Sequence, residues 1–352
     1  MSPAKTMISA NTVVCNAILQ SSAPALLDKS LIVAEAMKSK SKQELKTLCG
    51  VSDNLATHVQ ELVRNFNNNI TKGSMKSGYS FAALMYNGPG FQGLDASSLV
   101  NMTANIERSL HNHVRIISGM YGVLKPLDLI QEYRLCMDSK LTINNGGSTT
   151  KCLYDYWEDM IANAIVKDLC AQVSGYDSSV GPVYIVNCAS QEYAKAVLPH
   201  LPADIGVSNV KKKNSSCQVK ELRVIECTFL DGGSIKSVYA KRARGLMARY
   251  LALNYARDAD VTELLKRFDL EGYKFQSKRS DDTTMVYDRS PKDIPPTKAQ
   301  LKTKAGSSAL ESDTTKSGPA PTETKKRKAM SNAGKDKSKV AENTAESRKK
   351  KR

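Results

Sequence analysis

Between Ser118 and Met137 the chain reads SGMYGVLKPLDLIQEYRLCM, which sets Lys125, Asp128, Glu132 and Arg134 on one short stretch. An amine beside a carboxylate is the minimum for acid–base work or for an imine-forming lysine, so Lys125 with Asp128 is one candidate catalytic pair. Lys5 with Glu192 is a second. Gly119 and Gly122 bracket Tyr121, which points to tight or left-handed backbone, and Pro126 bars a continuous helix through Lys125. Polar groups on such a stiff loop are held at fixed positions, as binding sites require. The plainer alternative is a carboxylate that only balances a neighbouring cation.

Cations recur at Lys241, Arg242, Arg244 and Arg249. On a helix, Lys241 and Arg244 are neighbours three apart, whereas Arg242 and Arg249 align seven apart. Gly245 weakens that helix by about 1 kcal/mol relative to alanine, so it marks a close approach of backbone or ligand. Phosphate binding is the functional reading of Lys241, Arg244 and Arg249, and a solvated basic face is the bland one. Asn187, Ser190, Glu192 and Tyr193 follow the apolar run VYIVN, the place where a buried strand delivers binding groups. With Tyr86, Asn87 and Tyr121 they complete a candidate cleft, whose tyrosines either stack on bases among cations or serve as core residues.

Leu45–Val59 reads LKTLCGVSDNLATHV and resembles a helix-hairpin-helix, a module that grips the DNA backbone without reading bases. Gly50 permits the tight turn, and the amides of Gly50, Val51 and Ser52 with the start of the second helix would face a phosphate. Ser52 stands where such hairpins usually carry a second glycine. It can cap the following helix, yet its side chain crowds an approaching phosphate.

A wider resemblance covers about residues 1–289. Ser2-Pro3-Ala4-Lys5-Thr6, Tyr86-Asn87-Gly88, the Ser118–Met137 stretch, Tyr154 with Trp157, Asn187–Tyr193, Lys241–Arg249 and Glu271-Gly272-Tyr273 occur in the order found in the bacterial YaaA proteins, known for peroxide stress resistance. That family usually reads Ser-Gly-Leu-Tyr-Gly-Val-Leu-Arg-Pro-Leu-Asp and then Tyr-Arg-Leu-Glu-Met where this chain has its Ser118–Met137 stretch. The resemblance implies DNA binding and protection of DNA from peroxide damage, linked in bacteria to limiting free iron. Bacterial members carry an apolar strand before Ser-Pro-Ala-Lys-Thr, whereas only Met1 precedes it here. A missing central strand leaves unpaired backbone groups, so a late start of this sequence is expected.

Charge is uneven along the 352 residues, whose formal net charge is +16. Residues 290–352 hold 17 Lys or Arg against 7 Asp or Glu, and the remainder holds 34 against 28. The long-range field therefore favours polyanions. Eight cysteines and four histidines give no C-x-x-C pair and no zinc spacing, so no metal or cofactor is expected. No Ser-His-Asp order or phosphate-loop glycine pattern is present. No signal peptide and no apolar run of membrane-spanning length occur, which fits a reduced, intracellular chain with mostly buried, inert thiols.

These residues need a scaffold. Ala25–Lys38 has helical spacing, and Gln43–Phe66 reads as two helices broken at Gly50. Phe81–Tyr86 is expected as a strand, Ser97–His111 as a helix, Val114–Ile117 as a strand and Cys152–Val173 as one amphipathic helix. Val183–Asn187 is a buried strand with a helix over Ser190–Val197. Leu222–Leu230 and Ser234–Ala240 are expected to form a hairpin through Asp231-Gly232-Gly233, leading into a basic helix Lys241–Arg257. The expected class is α+β: a single mixed domain, 1–289, with a central sheet, surrounding helices and a helix-hairpin-helix over about 43–66. Beyond it, 290–352 reads as a disordered basic tail that cannot bury enough surface to offset its ordering entropy.

The expected function is a DNA-binding protein of the YaaA type, in the response to oxidative stress. Lys5, Lys125, Arg134, Lys241, Arg244, Arg249 and the hairpin would hold phosphates of duplex or distorted DNA without strong sequence preference. The alternative is an enzyme acting on a nucleobase, nucleotide or damaged DNA in the same cleft, with Asp128, Glu192 or Lys125 as catalytic groups. A third reading is a scaffold whose tail alone binds nucleic acid. Lys325-Lys326-Arg327-Lys328 and Arg348–Arg352 suit an import receptor, so nucleus or nucleolus is expected, with cytoplasm as the alternative, and a eukaryotic relative of a bacterial domain.

Overall fold

Helix α1 (Leu27–Lys38) buries Ser30, Val33, Ala34 and Met37, the stripe that 3.6-residue periodicity produces. In α2 (Lys42–Cys49) Ser41 and Glu44 cap each other reciprocally, and Gly50 ends the helix with φ +58°, a left-handed value that suits glycine. The next helix, α3 (Asp53–Asn65), packs back through Ala56, Val59 and Val63. The two helices expected over Gln43–Phe66 are present, broken at Gly50. A computed structural model supplies these coordinates. It describes residues 1–10, 21–70, 78–100, 102–145, 147–173, 182–202, 221–256 and 259–295. The tail clusters at Lys325–Lys328 and Arg348–Arg352 lie outside the described residues, as do Cys15 and Cys217.

Strand β1 (Tyr79–Phe81) is followed at once by α4 (Ala82–Met85), so the strand expected over Phe81–Tyr86 is a helical turn. Pro89 opens α5 (Pro89–Leu94), and α6 (Ala96–Val100) and α7 (Ala104–His113) follow, the last capped by Thr103. The Ser118–Met137 stretch is mostly short strands. β2 (Ile116–Ser118) pairs antiparallel with β3 (Gly122–Leu124), and β4 (Leu129–Gln131) pairs antiparallel with β1. Gly122 turns the β2–β3 connection at φ +68°. The hairpin β5 (Ile143–Asn145) and β6 (Ser148–Thr150) leads to α8 (Leu153–Trp157) and α9 (Met160–Val173). The single helix expected there breaks at Glu158, whose φ is +38°.

The largest sheet contains β7 (Val183–Asn187), which leads through α10 (Gln191–Ala194) towards β8 (Leu222–Asp231). Helices α11 (Ser237–Asn254) and α12 (Val261–Lys266) precede β9 (Tyr273–Phe275) and β10 (Thr284–Arg289). Strand order is β7-β8-β10-β9, parallel except at the β9 edge. The expected hairpin over Leu222–Ala240 is therefore absent. β8 has a parallel neighbour on both sides, and the chain after Asp231-Gly232-Gly233 turns into α11 instead. Small sheets, one larger mixed sheet and interspersed helices make the fold α+β.

Two apolar clusters fill it. One joins α1–α7 to β1–β5 and holds Trp157, fully buried with Nε1 donating to the Gly119 carbonyl at 3.0 Å. The other lies between the larger sheet and α11–α12, where Phe229, Phe268, Tyr273 and Tyr287 pack ring against ring. Helix α11 crosses α5 at backbone distance: a Cβ at Gly245 would lie 1.8 Å from the Gly90 carbonyl oxygen. Gly245 is thus fixed by helix packing. Residues Met1–Ile294 form one compact unit.

Candidate functional site

The N-terminal residues reach the site by backbone bonds. Met1 donates its amino group to the Arg115 carbonyl and accepts from the Ile117 amide, one parallel rung against β2. The Ser190 amide donates to Ser2 Oγ at 2.8 Å, at the start of α10. Arg134 Nη1 donates to the Lys5 carbonyl at 3.0 Å. Beyond it, the Asn87 amide donates to the Thr6 carbonyl and Met7 bridges Tyr86. The segment 1–7 is thereby laid across residues from four separated parts of the chain.

A small cleft opens along it, lined by Pro3, Ala4, Lys5, Tyr133, Arg134, Leu135, Cys136 and Tyr193. The charge of the Lys5 ammonium draws the Cys136 thiol down, but burial prevails and holds that thiol above its ordinary range. Glu192 Oε1 accepts from the Met137 amide at 3.2 Å. Burial, then the nearby Asp138 carboxylate, raise Glu192 above the usual carboxylate range. Ligating atoms of Cys136, Asp138 and Glu192 all lie within 4.8 Å of one another. Sequence spacing alone gave no hint of this grouping, because Glu192 is remote in the chain. The cleft is therefore mixed in charge, with Asp138 added to the expected Glu192.

The α2–α3 turn abuts this cleft. Cys49 Sγ donates to the Arg134 carbonyl at 3.1 Å, and Gly50, Ser52 and Asp53 are exposed. A Cβ at Gly50 would meet nothing within 4 Å. The Ser52 side chain makes no capping bond, although the sequence suggested one. Instead Asp53, the first residue of α3, forms ion pairs with Lys42 at 2.8 Å and Lys46 at 3.2 Å. These ammonium groups hold its carboxyl below the usual range.

Two candidate catalytic residues lie elsewhere. Asp128 is buried, accepting from Ser22 Oγ at 2.6 Å and from the Lys125 amide at 2.7 Å. Burial pushes its carboxyl up to about 6. Lys125 Nζ is 2.6 Å from Asp168, which also pairs with Arg115. The Lys125–Asp128 stretch thus closes a structural network beside His111, and neither residue lines the Lys5 cleft. Arg249 is likewise engaged, reaching the Leu94 and Asp95 carbonyls, Ser98 Oγ and the Asp95 carboxylate. Arg242 pairs with Glu271.

Tyr86 and Tyr121 are core residues. Tyr133 Oη bonds both Tyr86 Oη, at 2.7 Å, and Ser118 Oγ, at 2.6 Å, while Tyr121 Oη accepts from the Gln131 amide. Their rings are buried, which closes them to stacking on a base; Tyr193 is buried too but touches the cleft. Asn87 is exposed. Asn187 clamps Glu226 through Nδ2 and receives the Ala189 amide on Oδ1, so it shapes the turn after β7.

Four candidate cations make no ion pair with another described residue: Lys5, Arg134, Lys241 and Arg244. Lys5 belongs to the N-terminal segment and Arg134 donates to it. Gly90 lies between the Lys241 carbonyl and the Met1 side chain, and Arg244 bears on Cys188, as does the Met1 amine. The Nε atoms of Arg134 and Arg244 are buried without an acceptor among the described residues.

The family profile described as peroxide stress protein YaaA matches residues 1–279. A UPF0246 protein of Neisseria meningitidis serogroup B is 36% identical over 271 residues, 76% of this chain and 89% of its own. One from Alteromonas mediterranea is 36% identical over 277 residues, 78% of this chain and 92% of its own. One from Idiomarina loihiensis is 38% identical over 272 residues, 76% and 90% of the two chains.

Proposed function

This chain belongs to the peroxide stress protein YaaA family, and on that premise we propose that it binds DNA through the phosphate backbone as part of a peroxide stress response. One observation carries the reading: Lys5, Arg134, Lys241 and Arg244 are cations without an internal carboxylate partner among the described residues, and Lys5 and Arg134 line a cleft that the exposed α2–α3 turn meets at Arg134. Lys125 and Arg249 are spent on internal partners, so they are withdrawn from the phosphate-binding set, and Arg242 is likewise paired. The exposed turn at Gly50, Val51 and Ser52 leaves a helix-hairpin-helix role to the start of α3 alone, because the Gly50 and Val51 amides already donate to the Thr47 and Lys46 carbonyls. Asp53 opposes that role, and Lys42 and Lys46 offset its charge. In this reading the basic tail adds sequence-independent attraction and a nuclear address.

The test is fluorescence anisotropy of labelled duplex, bubble and single-stranded DNA across a salt series, with the full chain and with a chain ending at Ile294. Binding to duplex should weaken with salt, with a logarithmic slope of about 0.9 per phosphate neutralised. Lys5→Gln with Lys241→Gln should lower that slope by nearly two contacts in both chains. Binding that vanishes in the shorter chain would assign it to the tail and refute the reading.

The alternative, an enzyme acting on a nucleobase, nucleotide or damaged DNA, is favoured by Lys5 and Glu192 meeting at the cleft around Cys136. It requires turnover that Glu192→Gln abolishes without loss of binding.

A further inference from the structure

Cys136, Asp138 and Glu192 come from two separated parts of the chain, the loop after β4 and helix α10. Their ligating atoms nevertheless converge within 4.8 Å of one another. A thiol and two carboxylates held this close repel one another once ionised, and only a cation makes the arrangement favourable. The nearby cation is Lys5, whose charge acts on both Cys136 and Glu192 without an ion pair to either. A single ammonium on a flexible stem cannot compensate both carboxylates. The backbone anchors one of them, because the Met137 amide holds Glu192 Oε1.

We propose that Cys136, Asp138 and Glu192 form a binding site for a divalent transition-metal cation. The donor set selects the ion: one thiolate favours a borderline cation such as Zn2+, Co2+ or Fe2+ over Mg2+ or Ca2+, and two carboxylates complete three ligands of a four-coordinate shell. In such a shell the donor atoms lie about 3.5 Å apart, so the three groups must draw in by about 1 Å. Binding expels the Cys136 proton to solvent, and the sulfur lone pair forms the metal bond. The Lys5 ammonium is displaced from the thiol by the same event. The remaining coordination position faces the cleft lined by Lys5 and Arg134, where it is open to water or to an oxygen of an anionic ligand. The site needs no DNA, so it stands or falls apart from the DNA-binding reading.

Cobalt is the probe. Titration of the full chain with Co2+ should produce a thiolate-to-cobalt charge-transfer band in the near ultraviolet, visible d–d bands of a four-coordinate ion and release of one proton per ion. Cys136→Ser should remove the charge-transfer band, and Glu192→Gln should weaken Zn2+ binding at least tenfold in competition against Co2+. Lys5→Gln should tighten it severalfold, because it removes the competing cation; a structural role for Lys5 would not do so. Trp157 emission shows that each variant is folded. Equal Zn2+ affinity in wild type, Cys136→Ser and Glu192→Gln would overturn the proposal. So would a charge-transfer band that survives in folded Cys136→Ser, because it would place the metal on another cysteine.

Discussion

Asp128 and His111 sit on the same buried network and titrate in opposite senses, so replacing one should unmask the other. Asp128 is 2% exposed, and burial lifts its carboxyl from 3.8 to about 6, against the pull of Ser22 and the Lys125 amide. A raised folded-state value means that the folded protein holds the proton more tightly than the unfolded chain. The stability this contributes is complete below the unfolded value and is lost as pH rises through about 6. By linkage, lowering the pH from 7 adds about 1.4 kcal/mol by pH 5 and about 2.4 kcal/mol by pH 4. His111 accepts the Leu127 amide on Nδ1, and burial with the Lys125 and Arg115 charges lowers it from 6.5 to about 4. Its contribution runs the other way, costing about 2 kcal/mol between pH 7 and pH 5. The two nearly cancel in the wild type. Asp128→Asn, which cannot titrate, should therefore lose stability on acidification that the wild type keeps. The assay is urea unfolding at pH 4, 5, 6 and 7, followed by emission from Trp157, the chain's only tryptophan. The wild-type advantage over Asp128→Asn should grow as pH falls. An advantage that stays constant across the series would refute the raised carboxyl of Asp128.

Two further substitutions test the packing. Gly245→Ala should destabilise by about 3 kcal/mol, the upper end of overpacking, because the new Cβ meets Gly90 and Leu94 backbone at 1.8 to 2.8 Å; a gain of about 1 kcal/mol in urea unfolding, the helix-propensity result, would refute the tight α5–α11 crossing. Arg289, 1% exposed, donates to Asp231 through Nε at 2.7 Å and Nη2 at 2.6 Å, so Arg289→Leu should cost about 3–5 kcal/mol by stranding a buried carboxylate. Thermal unfolding of the double variant Arg289→Leu with Asp231→Leu should recover most of that loss.

The α+β class, the break at Gly50 and the strand Val183–Asn187 were legible because each rests on local signals: periodicity, a left-handed glycine, a β-branched run. The hairpin over Leu222–Ala240 was misread for a physical reason. Alternation and Asp-Gly-Gly describe a strand and a turn, but not which edge of the strand is already occupied; β7 and β10 take both. Strand β10 went unnoticed, because its pairing depends on β8 far back in the chain. In the cleft, the convergence of Lys5, Arg134, Glu192 and Tyr193 could be anticipated from separate blocks recurring in order. What spacing could not give was the bookkeeping of charge. Lys125 and Arg249 look like phosphate ligands in sequence, and each has a carboxylate partner in the fold. Asp138 drew no attention at all, because only tertiary structure sets it beside Cys136 and Glu192.

The pairing of β8 also dictates an order of events. Its first half, Leu222–Glu226, meets β7, and its second half, Glu226–Asp231, meets β10, whose register begins at Thr284. Both are parallel pairings across long loops, and loop-closure entropy must be met before either rewards the chain. Pairings such as α2–α3 and β2–β3 close through short loops, whereas β1–β4 and the Ser22–Asp128 contact close ones as long as those of the larger sheet. The larger sheet waits for residues near the end of the unit. The Arg289–Asp231 bond joins the last residues of β10 and β8, so the fold is locked only when the sheet is finished. Until then the apolar residues of β8 are uncovered on the β10 side, and this is the stage at which the chain is most open to aggregation and most dependent on chaperones.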